Sequence, residues 1–78
     1  MKYPIYYYSI LRELEKGAKT KKELKKKLSL SDSKLYRAYY RLLLDGIITR
    51  EEKEGNEYLI LTDKGKELLR SLREIVMG

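Results

Sequence analysis

The chain contains neither cysteine nor histidine. Without thiols it can form no disulfides or thiolate–metal sites, so its stability has to come from packing. Without imidazole it lacks the commonest metal ligand, the usual general base and the side chain that changes charge near neutral pH. Glutamine is missing too and Asn56 is the only asparagine, whereas Lys and Glu are abundant. Such amide-poor, ion-rich usage points to a protein from a hot environment. There is no Gly-rich phosphate loop, and most acids stand beside Lys or Arg, so the expectation is a non-enzyme that carries no cofactor and no metal. No apolar run approaches the ~20 residues of a membrane-spanning helix, and the charged N-terminus lacks the apolar stretch of a signal peptide. The expected location is cytoplasmic, with no membrane partner.

What is present is charge, unevenly placed. The 78 residues are 38% charged and carry a net charge of +6. Residues 16–41 hold ten Lys/Arg and only two acids, Glu23 and Asp32, while residues 42–78 hold six bases and eight acids. The positive field therefore comes from one block in the middle, the pattern of a polyanion-binding face. The plainer reading of the same lysines is a solvated surface. A chain this short makes one domain over residues 1–78, with a core small enough to be completed by a second copy.

Hydrophobic spacing divides the chain into elements. Pro4 suits a first helical turn, Tyr7, Ile10, Leu11 and Leu14 recur at helical intervals, and Gly17 can end the helix, giving about 4–16. Thr20 followed by Glu23 is a capping box, and Leu24 and Leu28 give a short helix at about 21–28. Ser31 and Asp32 open a third helix that runs to about 45 and stops at Gly46. Two helices joined by so tight a turn form a helix-turn-helix. The β-rich runs Ile47–Arg50 and Tyr58–Leu61 flank a polar centre containing Gly55-Asn56, which reads as a hairpin over about 47–61. Thr62-Asp63 caps a last helix, about 63–76, on which Leu68, Leu72 and Ile75 make one stripe and Leu69 and Val76 widen it.

The run "TKKELKKKLSLSDSKLYRAYYRLLLDGIITR" resembles the winged helix-turn-helix family, from capping box through recognition helix to the entry of the wing. The string "LTDKGKELL" is similar to the segment by which members of the MarR/PadR-like branch leave the wing. The resemblance covers about residues 5–76. It implies an α+β, mostly α fold and a small DNA-binding module, usually a homodimeric transcriptional regulator. Two departures stand out. Tyr39 sits where Leu or Ile is more usual, and the wing carries Glu51, Glu52, Glu54 and Glu57 against only Arg50 and Lys53. Such a wing should be repelled by phosphates, or touch them only through Arg50, Lys53 and the backbone near Gly55.

Projected at about 100° per residue, helix 3 gathers Leu35, Ala38, Tyr39 and Leu42 on one side, with Arg37, Ser33 and Leu44 opposite. Arg37 lies mid-face in the half where recognition helices reach bases, and a guanidinium pairs bidentately with guanine. Ser33, Lys34, Tyr36 and Tyr40 are the other base-reading candidates. Tyr36 and Tyr40 read equally as an i,i+4 aromatic pair packed on the hairpin or a partner. Arg41, with Lys21, Lys22, Lys25 and Lys26 on helix 2 and Arg50 and Lys53 on the wing, are phosphate candidates. Leu44 reads as a hairpin or dimer contact. The N-terminal tyrosines suit packing better than nucleic-acid stacking, and Tyr3, Tyr6, Leu69, Leu72 and Val76 are candidates for a dimer interface.

The leading expectation is therefore a nucleoid-associated homodimer that binds specific double-stranded DNA, without a small-molecule effector. A protein-interaction winged helix that uses its acidic hairpin, and a chromatin-type binder without base readout, are the alternatives.

Overall fold

The computed structural model describes residues 3–77, with side chains described as far as Glu74. Pro4 holds φ at −59° and the chain turns helical behind it, in α1 (Ile5–Glu15). The helix buries Tyr7, Ile10, Leu11 and Leu14, the residues whose spacing defines it. In α2 (Lys21–Leu28) the capping box forms on both sides: the Glu23 amide donates to Thr20 Oγ1 at 3.1 Å and the Thr20 amide donates to Glu23 Oε1 at 2.9 Å. Ser31 then caps α3 (Asp32–Leu44), its Oγ accepting from the Lys34 amide at 3.2 Å. Gly46, at φ +72°, reverses the chain after α3, and the Ile47 amide donates back to the Leu42 carbonyl at 2.9 Å. That closure needs a left-handed residue, which is why glycine stands there.

Strands β1 (Ile48–Lys53) and β2 (Asn56–Leu61) pair antiparallel, with Lys53 opposite Asn56. Within that polar centre, whose tip the sequence leaves open, the two-residue turn is Glu54-Gly55, with φ at +52° and +80°. Two positive φ values define the turn whose twist matches a hairpin, and its second site favours glycine, so Asn56 is released into the strand. The strands consequently reach further into the polar centre than their β-rich runs. The other edge of β2 is covered as well. Lys19 and Leu59 exchange both backbone hydrogen bonds, at 2.7 and 3.2 Å, so the link between α1 and α2 is tied to that edge by a single β-bridge.

Helix α4 (Asp63–Met77) is fastened to the start of β1 by Thr62. The Thr62 hydroxyl accepts from the Gly65 amide at 3.0 Å, and its proton is shared between the carbonyls of Gly46 and Ile47 at 2.6 and 2.9 Å. Leu69 and Leu72 are buried to 1% and 4% exposure, while Leu68 is only partly buried. The inward stripe is thus Gly65, Leu69 and Leu72, and at Gly65 the helix comes so close to the Ile47 carbonyl that no side chain fits between them. Every helix and both strands contribute to that core, with Leu11, Leu24, Leu42, Ile48, Leu59 and Leu69 the most completely enclosed. The architecture is mostly helical with a two-stranded wing.

Candidate nucleic-acid interface

Helix α3 has two faces of opposite character. Leu35, Ala38, Tyr39 and Leu42 are at most 3% exposed and fasten the helix to the core. Ser33, Lys34, Tyr36, Arg37, Tyr40 and Arg41 are all exposed on the other side. Because the inner face is close-packed and the N-cap is made, the outer face is held on a rigid support.

Tyr39 is a core residue with a polar tip. Its hydroxyl donates to Glu57 Oε1 at 3.1 Å and receives a hydrogen bond from Arg50 Nη1 at 3.0 Å. Lys21 Nζ lies 3.1 Å from the same carboxylate, 4.2 Å from the Tyr39 ring centre and 5.2 Å from that of Tyr36. Arg50 also approaches Glu57, at 3.6 Å. This cluster joins α2, α3 and the wing at a half-buried point. The hydrogen bond from Lys21 holds the Glu57 carboxyl below its ordinary range. Partial burial is the largest single influence on Lys21 and works against its charge, but the Glu57 hydrogen bond and the attraction of Tyr39, Glu57 and Tyr36 together overcome it, and the ammonium titrates above its usual value. Nothing in the spacing of residues 21, 39, 50 and 57 announces the cluster, because it depends on how the wing folds back.

A second polar junction secures the far end of α3. The Tyr3 hydroxyl donates to the Asp45 carboxylate, which Arg41 Nε also contacts at 3.1 Å. The Arg41 guanidinium lies 5.2 Å from the Tyr3 ring centre. Burial first, and the Asp45 hydrogen bond second, push the Tyr3 hydroxyl up to about 12. The bonds from Tyr3 and then Arg41 lower Asp45. Tyr6 also leans on α3: Lys34 Nζ stands 5.6 Å above its ring.

The phosphate candidates therefore divide into two groups. Lys22, Lys26 and Lys53, like Arg37 on α3, are exposed and pair with no acid among the described residues. Lys21, Arg41 and Arg50 are engaged as above, and Lys25 reaches Asp32 at 2.6 Å. Such partly exposed pairs are individually weak, on the order of 0–1 kcal/mol, so an incoming phosphate can displace them. On the wing, Glu51, Glu52 and Glu54 are exposed, whereas Glu57 is turned inward.

The dimer candidates fare differently. Leu69 and Leu72 lie in the chain's own core, on the same inward stripe as Gly65, where they offer no surface to a partner. Tyr3 and Tyr6 are partly buried against α3, and the Val76 side chain lies outside the described residues. Two apolar residues do stand free: Ile5 is 72% and Leu44 84% exposed. Leu44 thus packs on no hairpin.

No protein-family model and no curated protein sequence matches the chain. Solved structures do. F93 from STIV, described as a winged-helix DNA-binding protein, superposes with a TM-score of 0.83 at 31% identity, over 96% of this chain and 91% of that one. The transcriptional regulator BldR from Sulfolobus solfataricus gives 0.91 at 19% identity, over 99% of this chain and 58% of its own. A MarR variant from E. coli, solved in complex with operator DNA, gives 0.83 at 23% identity, over 96% and 56%. This chain spans a little over half the length of the latter two, and its likeness to them is one of fold. By its 31% identity with the STIV protein over nearly the full length of both, the chain belongs to the winged-helix family of DNA-binding proteins.

Proposed function

We propose that the protein is a transcriptional regulator that binds specific double-stranded DNA as a homodimer, with α3 entering the major groove. The observation that carries this reading is the outer face of α3: Arg37 exposed and unpaired among the described residues, flanked by Ser33, Lys34 and Tyr40, on a helix whose other face is closed by the core. Lys22 and Lys26 on α2 supply phosphate contacts, with Lys21, Lys25, Arg41, Arg50 and Lys53 joining as their internal pairs yield. Two copies would set their α3 helices in successive major grooves, roughly 10 bp apart, on a pseudo-palindromic site. The exposed Ile5 beside the N-terminal tyrosines supports a second copy docking along α1, together with the C-terminal part of α4 around Val76. The amide-poor composition, with a neighbour from Sulfolobus, supports a source in a hot environment, and DNA binding itself would place the protein at the nucleoid.

Selection of bound sequences from a random duplex pool, followed by salt titration and sizing, tests the proposal. A shared palindromic motif, a dimer and a salt slope of about 0.9 per neutralised phosphate are expected. A second reading rests on the three exposed acids of the wing, Glu51, Glu52 and Glu54, which suit a basic protein partner. It predicts a monomer indifferent to duplex DNA at physiological salt. Equal affinity for every duplex would instead select a binder without base readout.

A further inference from the structure

Two large aromatic side chains stand on the outer face of α3 without the cover such groups usually have. Tyr36 is 42% and Tyr40 61% exposed. They are not loose. Their rings stack with centres 6.0 Å apart and 30° between planes. The buried Tyr39 meets Tyr40 edge-on at 5.0 Å and Tyr36 at 6.3 Å, so the pair is backed by a core residue. Lys21 closes the pair from α2, 5.2 Å from the Tyr36 ring centre. The hydroxyls of Tyr3, Tyr6 and Tyr39 all find partners within the chain, but those of Tyr36 and Tyr40 have none among the described residues.

The pair is thus a preformed apolar plate one turn long, with little rotamer freedom left to lose on binding. It lies directly beside Arg37, and the groups around that arginine, Ser33, Lys34 and Arg41, are polar or charged, with exposed Leu44 at the far end of the helix. In the major groove, hydrogen-bonding edges belong to every base, and the one apolar group that a base pair presents is the thymine methyl. A rigid aromatic surface next to a base-reading arginine is matched by that group alone. We infer that the Tyr36–Tyr40 pair reads thymine methyl groups, so that the preferred site carries thymine at the positions flanking the base contacted by Arg37. The inference rests on the DNA-binding reading above and adds its base chemistry.

The test replaces each thymine of the selected duplex in turn by deoxyuridine, which removes the methyl and leaves the hydrogen-bonding edge intact. The wild-type protein is expected to lose about fourfold in affinity at each thymine that the pair covers, the value of one buried methyl group. Tyr40→Ala, at a site exposed enough to leave the fold intact, should bind the thymine and deoxyuridine duplexes alike. Tyr40→Phe keeps the ring and should keep the discrimination, which separates ring contact from a hydroxyl–phosphate bond. Specific binding with no loss at any deoxyuridine, or a Tyr40→Ala variant that discriminates as well as wild type, overturns the inference and leaves the DNA-binding reading standing. If no duplex is retained at all, both fall.

Discussion

Glycine inside a helix ordinarily weakens it by about 1 kcal/mol relative to alanine, so Gly65→Ala in α4 should be a stabilising change on propensity alone. The structure reverses the sign. A Cβ built on Gly65 would lie 2.2 Å from the Ile47 carbonyl oxygen and 2.7 Å from Leu61 Cδ1. Relief requires the helix and the start of β1 to part by more than 1 Å, since ordinary contact begins near 3.4 Å. The leucine methyl can swing, but the carbonyl cannot, because it accepts from the Thr62 amide at 3.1 Å and the Thr62 hydroxyl at 2.9 Å. Forced overpacking costs about 1–3 kcal/mol, and weakening the two Thr62 bonds adds about 1 kcal/mol each. Less the propensity gain, the net loss is roughly 2–4 kcal/mol. For a domain of this size each kcal/mol moves Tm by about 4–8 °C, so a drop of about 8–30 °C is expected in a thermal melt, with a matching fall in the urea midpoint. An alanine variant as stable as wild type, or more so, would show that α4 and β1 can part at Gly65 without loss.

Other variants probe the wing and the outer face of α3. Glu57→Gln removes the partner of Lys21 and Arg50. The Glu57 pKa is depressed on folding, so its contribution is present above the ordinary carboxylate value of 4.5 and is lost as pH falls through the lower folded value. Denaturation midpoints of wild type and variant should therefore lie furthest apart near neutrality and converge as pH falls below 4.5. Glu54→Asn places a residue tolerant of φ +52° at the first tip position and should raise the thermal midpoint, by an amount corresponding to at most about 1 kcal/mol. Arg37→Ala should weaken binding to the selected duplex by about 1–3 kcal/mol and leave random DNA nearly unaffected, whereas Lys26→Ala should weaken both alike and reduce the salt slope by about 1. Filter binding at three salt concentrations distinguishes the two.

The features legible in the sequence were those carried by neighbours along the chain. Thr20 and Glu23 stand three residues apart, as do the Ser31 hydroxyl and the Lys34 amide it caps, and local geometry alone brings each pair together. The division of α3 into two faces follows in the same way, since 3.6-residue periodicity needs no tertiary information. What could not be read there depends on elements meeting. Leu69 and Leu72 resemble a second packing surface until Gly65 is seen against the Ile47 carbonyl. Lys19 looks like one more solvated lysine of the basic block, yet its backbone completes the sheet against Leu59. Lys21 reads like Lys22, Lys25 and Lys26 because charge is all that a linear sequence assigns it, and only the fold sets it between an acid of the wing and two aromatic rings.

That placement also bears on the acidic wing. Four glutamates against Arg50 and Lys53 look like a surface that phosphate should reject, but the four are not equivalent. Glu57 faces α2 and α3, where it balances Lys21 and Arg50 and accepts from Tyr39, so its charge is answered locally. The remaining acids lie on exposed strand and tip positions, with Lys53 among them. Charges on such a projection interact across solvent and are screened beyond roughly 8–10 Å at physiological salt, whereas Lys21 and Lys25 of α2 sit directly against α3, at Tyr36 and Asp32. On the DNA-binding proposal, the wing then contributes little attraction of its own, and its negative tip disfavours any docking that brings the tip against phosphate before α3. The acids would act on orientation more than on affinity. Neutralising Glu51 and Glu52 together should raise affinity for random duplex more than for the selected site, and so narrow the ratio between them. An equal gain on both would mean that the wing tip lies against phosphate in the specific complex as well.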